Sequence, residues 1–137
     1  MNPDKLKHLE FIQNVITRMN TNSFLIKGWT ITLVSALFAL AAAKDANWKL
    51  ILISVMIVPV FWILDGFYIS QERQYRGLYG KVAAQQPADI VDFSMDATAY
   101  NTGRNTWLMG IVSKTLLPFY GTSAVIISVV VFVLLKK

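Results

Sequence analysis

The chain contains no cysteine, which removes disulfides, thiolate nucleophiles and cysteine-based zinc or iron–sulfur sites from consideration. It has one histidine, His8, too few for a histidine-rich metal site or an ordinary catalytic triad. No glycine-rich phosphate loop, serine nucleophile elbow or zinc-binding helix can be found. These gaps argue against an enzyme, and neither a cofactor nor a metal is expected. Charge is scarce too, at 15% of residues, where soluble domains carry about 25%.

What fills the space is apolar: 55% of the 137 residues are hydrophobic. That balance suits a chain solvated largely by lipid, and the length suits one domain. The net charge of +5 does not point to nucleic acid, because the basic residues flank apolar runs. There is no internal repeat and no low-complexity tract.

The expected fold is an all-α membrane protein with three spans. Residues 3–21 read as an amphipathic helix. Leu6, Leu9, Phe11, Ile12, Val15, Ile16 and Met19 form its apolar arc, with Lys7, Glu10, Gln13, Asn14, Thr17 and Arg18 opposite. It lies either in the membrane interface or against the protein's own polar part. His8 reads as a polar edge residue. Asn22-Ser23 reads as a turn or a helix start. Residues 24–43 form span one, about 30 Å long at 1.5 Å per residue, which matches the hydrocarbon core. The signal-peptide alternative, with Ala41-Ala42-Ala43 as its cleavage site, is set aside because the run starts too far into the chain.

Lys44-Asp45-Ala46-Asn47 is a polar turn, and Trp48 an interfacial aromatic. Residues 50–69 form span two, with Pro59 inside it. Residues 70–105 form a cytoplasmic segment: a polar helix from Gln71 to Gln85, ended at Gln86-Pro87, and then mostly loop. Residues 106–117 read as a second interfacial helix. Residues 118–135 form span three, opened by Pro118 and closed by Lys136-Lys137.

The basic residues give an orientation. Lys5, Lys7, Arg18, Lys27, Arg73, Arg76, Lys81, Arg104 and Lys114 fall on one side, and Lys44, Lys49, Lys136 and Lys137 on the other. Nine against four places the N-terminus in the cytoplasm of a multi-pass bacterial inner-membrane protein. The terminal lysine pair argues the other way for the C-terminus.

Several constellations are candidates for function. Lys27 and Asp65 lie nearly equal distances before and after the first turn, so antiparallel spans set them level. An intramembrane ion pair there costs less than two lone charges. The alternatives are a snorkelling lysine with a hydrated aspartate, or a gate or proton site. Gly28, Thr32, Ser35, Ala36, Ala39 and Ala43 form a small-residue face for helix–helix packing, within one subunit or between subunits. A three-span bundle has little protected interior, which favours a homo-oligomer. Any ion path between copies has Thr30, Thr32 and Ser35 as candidate lining.

Trp62, Tyr68, Glu72, Arg73, Arg76 and Tyr79, with Asp65, form a polar-aromatic strip. It suits contact with lipid headgroups or docking of a cytosolic partner. Asp89, Asp92 and Asp96 lack the glycine turn and distal glutamate of a calcium loop and read as a solvated loop.

The stretches Leu9-Glu10-Phe11-Ile12-Gln13-Asn14-Val15-Ile16-Thr17-Arg18-Met19, Asn22 to Trp29, Trp62 to Tyr68 with Gln71-Glu72-Arg73, and Asp92-Phe93-Ser94-Met95-Asp96 carry a resemblance. They resemble a group of small bacterial inner-membrane proteins associated with TIR-type or nucleotide-signalling antiphage systems. The likeness spans most of the chain. It implies a membrane effector that oligomerises and breaches the inner membrane when signalled, but it carries over no ligand motif. The expected partners are membrane lipid, further copies of the chain, and a cytosolic protein or nucleotide signal. The rival expectation is a non-conducting membrane anchor or regulatory subunit acting through residues 70–105.

Overall fold

The computed structural model describes residues 2–43, 47, 49–86 and 89–136; among them the chain is all-helical, with no strand. The turn residues 44–46, Trp48, Pro87 and Lys137 lie outside the described residues. Four α-helices are formed: α1 (Pro3–Ala42), α2 (Leu50–Ala84), α3 (Trp107–Ile111) and α4 (Leu116–Leu135). Helices α1, α2 and α4 are long and apolar enough to cross a membrane, and the protein is accordingly a membrane protein.

Helix α1 opens as its sequence dictates. The Asn2 side chain accepts a hydrogen bond from the Asp4 amide at 2.9 Å, Pro3 takes the first turn, and the Asp4 carboxylate sits at the positive end of the helix dipole. The helix then runs through Asn22-Ser23, where a turn was expected. Neither residue is proline or glycine, so each costs well under about 1 kcal/mol inside a helix, which packing along α2 outweighs. Segment 3–21 is therefore one helix with the apolar run.

Its buried stripe is Lys5, His8, Ile12, Ile16, Ser23 and Thr30. Leu6 and Phe11, expected on the apolar arc, are half exposed at 50% and 42%. His8, expected at a polar edge, is 1% exposed.

Helix α2 carries span two and the polar helix in one piece, through Pro59. At 1.5 Å per residue α1 is about 60 Å long and α2 about 52 Å, so both outgrow a hydrocarbon core of about 30 Å. The overhang has its own core of Ile12, Ile16, Leu78, Val82 and Ala97, with Met95 and Tyr100 of the following segment packed on it.

The interfacial helix expected over 106–117 is only the short α3. Leu116 and Leu117 belong instead to α4, whose start is set when the Ser113 hydroxyl accepts the Leu116 amide hydrogen at 3.2 Å. Pro118 falls in the first turn of α4, where its missing N–H is harmless.

The second core, Val58, Leu116, Tyr120 and Ile127, seals α4 against α2. Helix α4 leans on α2 far more than on α1. A groove of about 230 Å³ is left between α1 and α4, bordered by Thr30, Val34, Ser35, Phe38 and Ser123.

Candidate functional site

Asp65 is fully buried, where the apolar runs of α1, α2 and α4 begin or end on one side. Three donors converge on its carboxylate. Lys27 Nζ donates to Oδ2 at 2.6 Å, and the Tyr120 hydroxyl donates to the same oxygen at 2.9 Å. The Ser23 hydroxyl donates to Oδ1. Lys27, with its side chain 17% exposed, also reaches the Ser23 hydroxyl oxygen at 2.8 Å. Each donor keeps its own proton, so the arrangement suits an ionised aspartate neutralised by one ammonium. The same carboxylate joins all three long helices: α1 by Ser23 and Lys27, α2 by Asp65 itself, α4 by Tyr120.

The ring of Tyr120 is set by Trp62, which stacks on it with centroids 5.8 Å apart and planes 10° apart. The Trp62 indole N–H donates to the Ile111 carbonyl at 2.8 Å, and that of Trp107 to the Ile63 carbonyl at 2.8 Å. Backbones come very close here. A Cβ on Gly110 would collide with the Gly66 carbonyl, and one on Gly66 would stand 2.9 Å from the Ile111 amide nitrogen. Only two facing glycines let α3 lie this close to α2.

The rest of the expected strip divides. Arg73 donates to the carbonyls of Arg104 at 2.6 Å and Met109 at 3.2 Å, so its guanidinium clamps the chain's own segment. Glu72 and Arg76 pair with each other at 2.7 Å on the surface. Tyr68 lies edge-on to Phe67, and Tyr79 packs on the core of the overhang. Trp62 and Arg73 thus serve internal contacts rather than one continuous docking face.

The small-residue face is displayed outward. Gly28, Thr32, Ser35, Ala36, Ala39 and Ala43 are all exposed, and a Cβ on Gly28 would meet nothing within 4 Å. Thr30 corrects the suggested lining. It is 1% exposed and donates to the Ile26 carbonyl at 2.8 Å. Two residues apart on a helix means about 200° of rotation, so Thr30 and Thr32 cannot share a lumen. Thr32 donates to the Gly28 carbonyl at 2.9 Å.

The loop carboxylates serve local turns. Asp89 accepts from the Gln86 amide, Asp92 from the Ser94 amide and Asp96 from the Thr98 amide and hydroxyl. The Thr98 hydroxyl, then its amide, holds the Asp96 carboxyl below the usual carboxylate range. Among the described residues no group of three or more His, Asp or Glu side chains is placed to hold a metal ion.

Sequence reasoning missed Tyr120, Ser23, Lys5 and His8. Lys5 is nearly buried and donates to the carbonyls of Ala83 at 2.8 Å and Gln85 at 2.6 Å, capping the end of α2. The positions 5, 8, 12 and 16 carry the helical spacing that marks this stripe, but a lysine and a histidine within it mask the apolar signal.

No family model, curated protein or solved structure matches the chain.

Proposed function

We propose that this protein is a small inner-membrane effector that assembles with itself through α1 and, once assembled, acts as a pore component that disrupts the membrane, in antiphage defence. The observation that carries the assembly is the outward small-residue face from Gly28 to Ala43. In lipid, association depends on close packing rather than on escape from water, and such a face allows backbones to approach. Within one copy the residues of that face are exposed, while the buried stripe of α1 lies on its other side. Thr32 and Ser35 remain as polar side chains for an intersubunit path; Thr30 does not. The defence role rests on the resemblance of the chain to small membrane proteins of such systems. In this reading the N-terminus and the overhang of α1 and α2 are cytoplasmic, following the basic residues around them.

The rival reading is a membrane anchor or regulatory subunit for a cytosolic partner or nucleotide signal. It is favoured by the overhang, which has its own core and a clamped segment on α2.

Two measurements decide. Induced expression with a membrane-potential dye should give depolarisation and growth arrest. Cysteine pairs at Ala36 or Ala39, in a chain with no native cysteine, should crosslink copies in membranes. Gly28→Leu should abolish crosslinking and depolarisation together while leaving the folded monomer in place. Crosslinking without depolarisation under every inducing signal would remove the pore and leave the assembly.

A further inference from the structure

The segment before α4 runs down the side of α2, and its partners fix its depth. Arg73 holds the Arg104 carbonyl, Ser70 donates to the Asn105 carbonyl, and Trp107 donates to the carbonyl of Ile63. From Arg73 to Ile63 is ten residues, about 15 Å along a helix. The apolar run of α2 ends at Ile69, before Ser70-Gln71-Glu72-Arg73. Helix α3 therefore lies below the end of that run, at membrane depth, although it belongs to none of the three spans. Its outer side is apolar and uncovered: Trp107 and Val112 are exposed, and Leu108 is 76% exposed. Exposed Ile63 and Phe67 of α2 continue the same surface, with Phe67 edge-on to Trp107.

Cations stand at both ends of this patch. Arg104 precedes α3, at the level of Arg73. Lys114 follows it, two residues before α4 and on the polar side of Tyr120 and Asp65. Both are exposed, and neither belongs to an ion pair among the described residues. The carboxylates nearby are taken, Asp65 by Lys27 and Glu72 by Arg76. No aspartate or glutamate follows Asp96 in the sequence. An apolar surface at acyl-chain depth below two long side chains with free positive ends matches a phospholipid whose headgroup carries net negative charge.

We propose that α3 with Arg104 and Lys114 is a binding surface for anionic phospholipid. The acyl chains cover Trp107, Leu108 and Val112, and the headgroup phosphate is held by Arg104 and Lys114. The proposal rests on the membrane location of the chain, not on assembly or conduction.

The absence of native cysteine allows a small fluorophore on Leu108→Cys, in the full protein in nanodiscs. A nitroxide high on the acyl chain of phosphatidylglycerol or phosphatidylcholine serves as a short-range quencher, at equal mole fraction in an otherwise identical bilayer. Both lipids should quench, and phosphatidylglycerol should quench at lower mole fraction. Aqueous iodide should not quench. Ile90→Cys, at a position 91% exposed in the same connecting segment, should respond to iodide and not to the lipids. Arg104→Gln and Lys114→Gln should each weaken the phosphatidylglycerol preference about fivefold. The double variant should quench equally with both lipids, and its retained quenching by phosphatidylcholine shows that α3 is still in place. Quenching of Leu108→Cys by iodide overturns the proposal, as does protection from both iodide and lipid, which would mean that protein covers the patch. Equal quenching by the two lipids in the parent, or a preference that survives the double variant, overturns the headgroup assignment.

Discussion

The two halves of the helical hairpin are held together by different forces. In the half that contains the overhang and the Asp65 node, side chains bond across elements: Lys5 to the end of α2, Ser23 and Lys27 to Asp65, Tyr120 to the same carboxylate, and Ser70, Arg73 and Gln74 to the segment before α3. In the other half, the polar side chains bond back to a carbonyl of their own helix. Thr32 goes to Gly28, Ser54 to Ile51, Ser123 to Phe119 and Ser128 to Ala124. Among the described residues the helices there meet through apolar contact, and grooves remain beside Pro59 and between α1 and α4. A directional hydrogen bond specifies one register. Van der Waals contact in lipid tolerates several. The first half therefore sets how the three helices meet, and the second is left free to accept lipid or another copy.

The largest break of this contrast is at Asp65. Asp65→Leu removes the shared acceptor and leaves the Lys27 ammonium facing an apolar contact. Losing one partner of a buried pair costs about 3–5 kcal/mol. Denaturant unfolding in detergent should show that loss, and the amide exchange of α4 should rise because Tyr120 is released. Adding Lys27→Met should recover most of it, since a buried pair replaced by apolar side chains is often neutral. A single Asp65→Leu variant as stable as the parent would show that apolar packing sets the bundle in both halves.

The next effect is steric. Gly110→Ala and Gly66→Ala place a methyl group against the opposite backbone, which can move only by separating α3 from α2. Overpacking of this kind costs about 1–3 kcal/mol. The Trp62 and Trp107 indole hydrogen bonds should lengthen with it, visible as a shift in tryptophan emission. Gly28→Ala, in the loosely specified half, meets nothing and should leave monomer stability alone.

The same contrast explains what was legible before the fold was known. Three apolar runs gave three helices able to cross a membrane, since length and composition suffice for that. The juxtaposition of Lys27 and Asp65 was readable because a short connection forces antiparallel neighbours into level register. Tyr120 was not. The connection from α2 to α4 is long and mostly irregular, so nothing local fixes which α4 residue arrives beside Asp65. His8 was hidden because a separate stretch, around Ser94, meets it, and Lys5 because its partners are carbonyls at the far end of α2. The break placed at Asn22-Ser23 failed because weak local signals yielded to continuous packing along α2, and the helix over 106–117 was cut short where Ser113 starts α4.

The smallest effect is the sharpest test of the sparse half. Thr32 is exposed, and its hydroxyl is satisfied by the Gly28 carbonyl one turn back. Thr32→Val keeps the shape and removes only that internal bond, whose carbonyl is still served by the helix backbone. Monomer unfolding should change by less than about 0.5 kcal/mol, the scale of surface substitutions. Ser23→Ala, which removes one of the three donors to Asp65, should cost about 1 kcal/mol, the usual net value of a hydrogen bond. Side by side under one denaturation protocol, the two variants set a bond within a helix against a bond between helices. Equal losses would mean that the Asp65 node is no more specific than the apolar half, and the division of the hairpin would fail.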